Sequence, residues 1–552
     1  MSIAIRPVSS RPLQSSPVNH RRRIDWFLLI GFSSFLYFFG LSHFGLVGAD
    51  EPRYAEVARE MLARHDWITP VLGNQPWLEK PPLYYWQAMV AYDIFGVSDW
   101  ASRLPSAVDA TLMVVAIFFF LGKFRPGFPL DGALMTASAA GVIGFARAAS
   151  TDMPLAAFFS IALLAWYAWY QTGSKLCLSG CYLALALATL AKGPVALFLG
   201  AAILGVFAWQ SRDYRLIRRT LWLPGIVMFS LIALPWYVAV ELKNPEFFRV
   251  FIVEHNLSRF ATNLYHHPQP FWYFLPVTLL GLVPWTVFVL TALVESIRKP
   301  SWWVGSSEVL PSEKALNLFQ AIWLVVPVIF FSFSRSKLPG YILPALPAGA
   351  LLVTDYVERS LARAHRPALG LILLHSVLAS ATVGLAIQYP VLEHRLGRGL
   401  PTAIGWTCAA SLAIGIAITL RSRIGLRALR FVTLVPVVLT VAIVLRLDAP
   451  YLDNTLSARP LAAEISRLET KRLPLAVLGV SREVEYGLVF YGRQTVYRYE
   501  SGQVPAGEHV LVAKEGSQTE ITKQVTGRRV SYLGTFAPQR LTYYWVAAEH
   551  GQ

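Results

Sequence analysis

Charge is scarce in this chain. Asp, Glu, Lys and Arg make up only 15% of the 552 residues, against 55% hydrophobic residues, and the mean hydropathy is +0.47. A soluble fold of this length needs far more polar surface. A polytopic helical membrane protein is expected instead, because backbone in lipid must satisfy its own hydrogen bonds. Cysteine is scarcer still. Cys177, Cys181 and Cys408 all fall within apolar runs, which leaves no disulfide framework and no zinc spacing. Acids are outnumbered by bases, 33 to 49, for a formal charge of +16. In a soluble protein that excess would point to nucleic acid. Here cytoplasmic loops and sites for anionic lipid phosphate account for it, so membrane lipids and not nucleic acid are the expected partners. Short repeats are missing too, and with them the paired half-repeats of many transporters.

What is present is a succession of apolar runs. A helix needs about 20 residues to cross the hydrocarbon. Thirteen runs are read as spans: 26–47, 103–122, 131–147, 152–171, 177–191, 194–209, 220–240, 271–294, 316–334, 338–357, 367–388, 402–420 and 428–446. The first follows Arg21, Arg22 and Arg23 and is longer than a signal peptide's apolar core, so it reads as an uncleaved span. A fourteenth run, 83–96, is short and carries Asp93. If it crossed, the later basic clusters, among them Lys123/Arg125, 212–219, 359–366 and 421–430, would lie opposite the N-terminal arginines. The positive-inside bias therefore rejects the crossing. Both 83–96 and the amphipathic stretch 52–64 are expected to lie on the outer membrane surface, the latter with Tyr54, Val57, Ala58, Met61 and Leu62 on one apolar face.

The expected organisation is a cytoplasmic tail at 1–25, a transmembrane domain at 26–448 with outer loops at 48–102 and 241–270, and an outer domain at 449–552. In the last, strand-like runs (475–480, 509–513, 530–533, 541–547) alternate with helical ones (461–468, 484–491), which predicts a small α/β domain. It contains no catalytic motif.

Concentrated polar chemistry falls on the outer side, mainly in residues 50–82. Asp50-Glu51-Pro52 and Asp152-Met153-Pro154 each set an acid at a helix start with proline in the first turn. The plain reading is an N-cap. Two such acids on different spans can also converge as a base or as stabilisers of a sugar cation. In Trp77-Leu78-Glu79-Lys80-Pro81-Pro82-Leu83-Tyr84-Tyr85-Trp86 the prolines are expected to hold the chain extended after Lys80, leaving that lysine to grip a phosphate. The four aromatics read as an interfacial belt. In the loop 241–270, His255 and Arg259 are spaced i, i+4, and Arg259 is the phosphate candidate. Lys337 and Tyr341 share that spacing in Ser334-Arg335-Ser336-Lys337-Leu338-Pro339-Gly340-Tyr341. Lys337 either snorkels or joins Lys80 and Arg259 around a lipid phosphate.

Taken together, DEPRYAEVAREM, EKPPLYYW, ARAASTDMPL, EHNLSRF and SRSKLPGYILP resemble the bacterial aminoarabinose transferases that modify lipid A, members of the GT-C glycosyltransferases alongside protein O-mannosyltransferases. The resemblance runs the length of the chain. It implies an inverting transferase in the bacterial inner membrane, working at the periplasmic face. The sugar would be 4-amino-4-deoxy-L-arabinose, the donor an undecaprenyl-phosphate-linked sugar, and the acceptor a lipid A phosphate. Resistance to polymyxin and cationic peptides would follow. It also implies Asp50 and Asp152 as the essential acids, with Lys80, Arg259 and Tyr341 around the carrier phosphate and Arg53 beside them, and Glu79 and His255 as positions for a divalent metal cation. Tyr54 would stand as a wall between Asp50 and Lys80. Two other readings remain: transfer of another lipid-linked sugar to protein or an envelope glycan, and transport of the lipid-linked sugar.

Overall fold

A computed structural model of the chain describes residues 17–258, 269–298, 312–388, 399–468 and 471–549. Among these, nine helices are long and apolar enough to cross a membrane, and two further pairs of helices qualify together but are sharply bent. The protein is a multi-pass helical membrane protein with a mixed α/β domain at its C-terminus. All thirteen apolar runs are helical, with differences that matter. The first helix, Pro17–Ser33, continues as a π-turn only to Phe38. Residues 39–47, expected to finish the span, are irregular, as are 48–49. The sixth, Val195–Gln210, is shorter than the rest.

Two runs read as single spans are broken. Pro129–Ala137 and Ala140–Ala146 meet at 65°, and Phe271–Gly281 and Thr286–Ser296 at 117°. Broken helices at membrane depth persist only where the freed backbone is satisfied within protein or lines a cavity. Here the two breaks satisfy each other. Ala140 N donates to Val283 O at 2.8 Å, and Trp285 Nε1 donates to Ser138 Oγ at 3.0 Å. Ser138, Ala140, Val283 and Pro284 also line the main cavity.

Helices Asp50–Ala63 and Leu83–Phe95 are present and neither is a candidate span. The apolar face of the first is as expected: Tyr54, Val57, Ala58 and Met61 are buried. Protein covers it, however, and not lipid. It packs on Leu83–Phe95 and on helix Arg482–Gly492 of the C-terminal domain. Tyr84 and Tyr85 are fully buried, with Tyr84 Oη donating to Ser102 O at 2.8 Å. The belt reading fails for them because this second helix buries a face of its own. Outward-facing Val90, Ile94 and Phe95 are exposed.

The C-terminal domain holds a five-stranded sheet in the order 496–498, 475–478, 509–514, 541–546, 530–536. The first three strands are parallel and the last two antiparallel. Helices Arg459–Leu468 and Arg482–Gly492 stand where helical runs are predicted, and the strand Val496–Arg498 and helix Gln518–Gln524 are additions. The domain is bolted to the irregular segment that follows the first helix and to Asp99. Arg459 pairs with Asp99 (2.7 Å) and Asp453 (2.6 Å). Gly45 N donates to Asp453 Oδ1 at 2.8 Å and Leu46 N to Tyr491 Oη at 2.6 Å, while Tyr491 Oη donates to Asp99 Oδ1 at 2.6 Å.

Candidate active site

A cavity of about 860 Å³ opens on the face of the bundle that carries the C-terminal domain. Asp50, Arg53, Tyr54, Glu79, Lys80, Asp152 and Tyr341 all line it, drawn from four separate stretches of chain.

Asp50 and Asp152 each occupy the first position of a helix, Asp50–Ala63 and Asp152–Thr172. Neither acts as the expected cap: the preceding Ala49 and Thr151 are the caps, and no side-chain cap bond forms. The carboxylates take cations instead of backbone amides. Asp50 pairs with Arg53, one turn on, and Asp152 with Lys192. Asp152 Oδ2 also accepts from Ser150 Oγ at 3.0 Å. The Gly340 backbone comes so close that a Cβ there would stand 2.6 Å from the Asp152 carboxyl, which only glycine permits.

Glu51 fixes these two helix starts relative to each other. Its Oε2 accepts from Val47 N at 2.7 Å and its Oε1 from Ala149 N at 2.7 Å. Arg103, 1% exposed, grips both oxygens through Nε (3.0 Å) and Nη2 (2.7 Å). The same guanidinium donates to Leu41 O, Phe44 O and Gly45 O. One buried ion pair thus ties together the irregular segment between the first helix and Asp50, the segment before Asp152 and the helix that carries Arg103.

The Glu79–Lys80 stretch is aimed by a small hairpin. Val71–Leu72 pairs with Gln75–Pro76 across Gly73 and Asn74, both at positive φ (60° and 67°), the two-residue turn that Gly and Asn favour. Glu60 binds its tip, accepting from Gly73 N at 2.6 Å and Asn74 N at 3.1 Å. By Pro82 the chain is no longer extended as expected: that residue has φ −88°, ψ −13° and caps the helix that starts at Leu83. Lys80 is buried on the lining, 9% exposed.

Arg53 sits in an aromatic cage, its Cζ 5.2 Å from the ring centre of Tyr54, 5.1 Å from Trp77 and 5.7 Å from Tyr486. Trp77 therefore serves a cation and not a membrane belt. Burial works to lower the Arg53 pKa, but Tyr54, Asp50, Glu79 and Tyr486 outweigh it and hold it above its ordinary value. Tyr54 is raised, first by burial and then by Asp50, with Asp152 and Glu79 adding to it. Its hydroxyl therefore stays protonated among three converging acids.

Tyr341 packs against Phe331 and Phe274, ring centres at 5.1 and 6.3 Å. Lys192 Nζ stands 5.0 Å from its ring centre. Lys337 departs from expectation. It is buried off the cavity lining, and its ammonium donates to Ser334 O in its own loop. Burial lowers its pKa. The i, i+4 argument does not hold there because Leu338 is extended (φ −125°, ψ 146°) and the helix starts only at Pro339. His255, on the π-helical turn Phe248–Ser258, brings Nε2 to 3.8 Å from Glu79 Oε1. Among the described residues no three His, Cys, Asp or Glu are grouped to hold a metal. Arg259 lies outside the described residues.

Sequence reasoning misses four contributors: Lys192, Arg147, and Arg482 and Tyr486 of the C-terminal domain. Lys192 carried a signal, a lone lysine before Gly193 at an outer-face junction. Gly193 adopts φ 88° and stops the helix there. Arg147 stands in the ARAASTDMPL stretch five residues before Asp152, where nothing marks it out, and Arg482 and Tyr486 have no signal, since only tertiary folding brings Arg482 to the cavity and Tyr486 to the Arg53 cage.

Comparison with known proteins agrees with this fold. A family model described as dolichyl-phosphate-mannose-protein mannosyltransferase matches residues 79–238. The undecaprenyl phosphate-alpha-4-amino-4-deoxy-L-arabinose arabinosyl transferase of Pseudomonas paraeruginosa is 30% identical over 384 residues, 67% of each chain. The enzyme of that name from Pseudomonas aeruginosa is 30% identical over 339 residues, 60% of this chain and 59% of the relative. Several of these alignments thus span about 59% of the relatives' length. The crystal structure of ArnT from Cupriavidus metallidurans bound to undecaprenyl phosphate matches with a TM-score of 0.75 at 24% identity, over 94% of this chain and 97% of that one. At that identity the likeness is one of fold. The chain belongs to the undecaprenyl phosphate-alpha-4-amino-4-deoxy-L-arabinose arabinosyl transferase family.

Proposed function

We propose that the protein transfers 4-amino-4-deoxy-L-arabinose from undecaprenyl phosphate to phosphate groups of lipid A, in the bacterial inner membrane with the cavity on the periplasmic side. The observation that carries this reading is the convergence of Asp50, Asp152, Lys80, Lys192 and Tyr341 on one cavity that is otherwise largely apolar. Cations suit a carrier phosphate, acids suit an electron-poor sugar carbon, and apolar walls suit lipid chains. The clustering of basic loops at the far ends of the spans supports the orientation.

The chemistry needs no base. An acceptor phosphate oxygen forms the new bond to the anomeric carbon as the bond from that carbon to the carrier phosphate breaks, its electron pair leaving with the carrier. A phosphodiester and a phosphomonoester enter, and one of each leaves, so no proton is moved. Lys80 and Tyr341 support the departing phosphate, with Lys192 behind Tyr341. The part left to Asp50 and Asp152 is electrostatic: negative charge fixed beside the carbon while it carries positive charge. Glu79 and His255 offer two ligands toward a divalent cation, whose chemistry would be to neutralise phosphate charge. Two protein ligands leave the remainder to substrate or water, and no step is derived through a metal.

The test is mass spectrometry of lipid A from cells that supply the donor, with and without the protein. Addition of the amino sugar is expected, with weaker binding of polymyxin; no difference would sink the assignment. The mannosyltransferase match at 79–238 favours one other acceptor class, a hydroxyl on protein or glycan. There Asp50 would have to act as a base, and sugar would appear on that acceptor while lipid A stayed unmodified. A transporter predicts that donor presented directly at the outer face is transferred equally well by Asp50→Asn and Asp152→Asn variants.

A further inference from the structure

Six Lys or Arg side chains line the cavity against four Asp or Glu. Asp50 takes Arg53, Glu51 takes Arg103, Asp152 takes Lys192, and Glu79 faces His255. Arg147 meets no carboxylate among the described residues. Its Nη1 and Nη2 donate to Leu36 O at 3.0 Å and Gly40 O at 2.9 Å. Those carbonyls orient the guanidinium without neutralising it, and three of its five N–H donors remain. A half-buried cation held this way is costly unless an anion completes it.

The surroundings say what kind of anion. Ile143 and Phe145 stand on the short helix Ala140–Ala146 that Arg147 ends, and Val437, Val441, Val444 and Leu445 add an apolar wall to the same cavity. Thr440 Oγ1 donates to Thr382 Oγ1 at 2.9 Å, so the two hydroxyls on that wall engage each other. At the mouth stands Arg482, exposed at the start of the C-terminal domain's helix and without a carboxylate partner among the described residues.

We propose that Arg147 is the anchor for the acceptor's phosphate. The acceptor is a phosphomonoester carried on acyl chains, which lie along the Val437–Leu445 wall, and Arg482 guides the phosphate in. This rests on the transferase reading above. An inverting displacement brings two phosphates to opposite faces of one carbon, where they repel. Each needs its own cationic support on a different element. Lys80 and Tyr341 belong to the segments before Leu83 and after Leu338, whereas Arg147 hangs from the end of the first helix. No proton is moved at this subsite.

The test is steady-state kinetics of the full-length protein in nanodiscs, varying bis-phosphorylated lipid A at fixed synthetic undecaprenyl-phosphate aminoarabinose, and then the reverse. Arg147→Gln is expected to raise the acceptor KM at least about tenfold and leave the donor KM within about twofold. Arg147→Lys, which keeps a cation able to bond both carbonyls, is expected to recover most of the loss. Arg482→Gln, an exposed change that cannot unfold the bundle, is expected to raise the acceptor KM about threefold. An acceptor KM unmoved in both glutamine variants overturns the subsite, as does an equal rise in both substrates' KM values. If the wild type turns over donor on a hydroxyl acceptor but not on lipid A, the phosphate-acceptor reading itself falls, a result separable from a failure of Arg147 alone.

Discussion

Glu51→Gln is the sharpest test of how this site is held. The carboxylate accepts four hydrogen bonds, from Val47 N, Ala149 N and two atoms of Arg103, and both residues of the pair are buried. Full truncation to Ala would leave a buried guanidinium without its counter-charge, at about 3–5 kcal/mol, and two orphan amides at about 1–3 kcal/mol each. Even allowing for non-additivity, that is comparable with a domain's whole stability of about 5–15 kcal/mol, so the Ala variant is expected not to accumulate. Gln keeps the shape and one acceptor oxygen but turns a donor toward two of its four partners, one backbone amide and one Arg103 nitrogen. A loss of about 2–3 kcal/mol is expected, with faster amide hydrogen exchange in peptides covering 45–49 and 147–151 and unchanged exchange in the C-terminal sheet. Because those segments set Asp50 against Asp152, kcat is expected to fall about 10–100-fold, the order a displacement near 1 Å costs. Arg103→Lys keeps the charge but not the fork that reaches three carbonyls and two carboxylate oxygens, and is expected to share the exchange signature. Wild-type turnover and exchange in Glu51→Gln would refute the reasoning.

Three further outcomes are expected. Asp50→Asn removes a carboxylate whose side chain is 54% exposed, so unfolding should shift by less than about 1 kcal/mol while transfer falls at least about 100-fold; equal turnover would remove Asp50 from the chemistry. Burial raises the Glu56 carboxyl to about 7 despite Arg59. A raised folded pKa means its stabilising contribution is fully present below the unfolded value near 4.5 and is lost as pH rises through about 7. The wild type should thus weaken by up to about 3 kcal/mol relative to Glu56→Gln between pH 5 and 8, read as the difference between their unfolding midpoints; parallel curves would contradict it. Ending the chain at residue 448 removes the acceptors of Gly45 N and Leu46 N, the Tyr486 face of the Arg53 cage, and Arg482. Purified truncated protein is expected to lose transfer even if it inserts normally, and retained turnover would show the domain dispensable.

Much of the fold could be read from the sequence, because membrane burial writes itself into composition one residue at a time. The apolar runs and four strands of the C-terminal sheet follow from local pattern, and the helices near 52–64 and 83–96 from local pattern together with the distribution of charge along the chain. The breaks at 138–139 and 282–285 do not. Ser138 and Pro284 look tolerable within a span, and only the bonds between Ala140 and Val283 and between Ser138 and Trp285 stabilise the opened backbone. The site divides the same way. Acids and bases concentrated in one polar loop announce themselves, whereas Arg147 has meaning only once the bundle folds around Leu36 and Gly40, and Arg482 and Tyr486 only once the C-terminal domain docks. Lys337 misleads because its loop turns it inward, a consequence of the extended Leu338 that residue spacing does not reveal.

Asp50 and Glu51 make the limit concrete. They are neighbours with the same charge at the same helix start, and only the family resemblance, not charge or spacing, separates them in the sequence. The structure separates them by counting what each carboxylate already holds. Glu51 is buried, and its two oxygens serve four donors, a full complement that leaves no room for a substrate. Asp50 is half exposed and holds one arginine, which leaves lone pairs facing the cavity. Asp152 lies between, with Lys192 and Ser150 on its oxygens. An acid that must respond to charge developing on a sugar has to keep capacity in reserve, and an acid that must hold geometry has to have none. Under the proposed function, that criterion makes Glu51 the fixed point of the site, while Asp152 holds Lys192 beside Tyr341 and shares with Asp50, the freer of the two, the negative charge that meets the sugar.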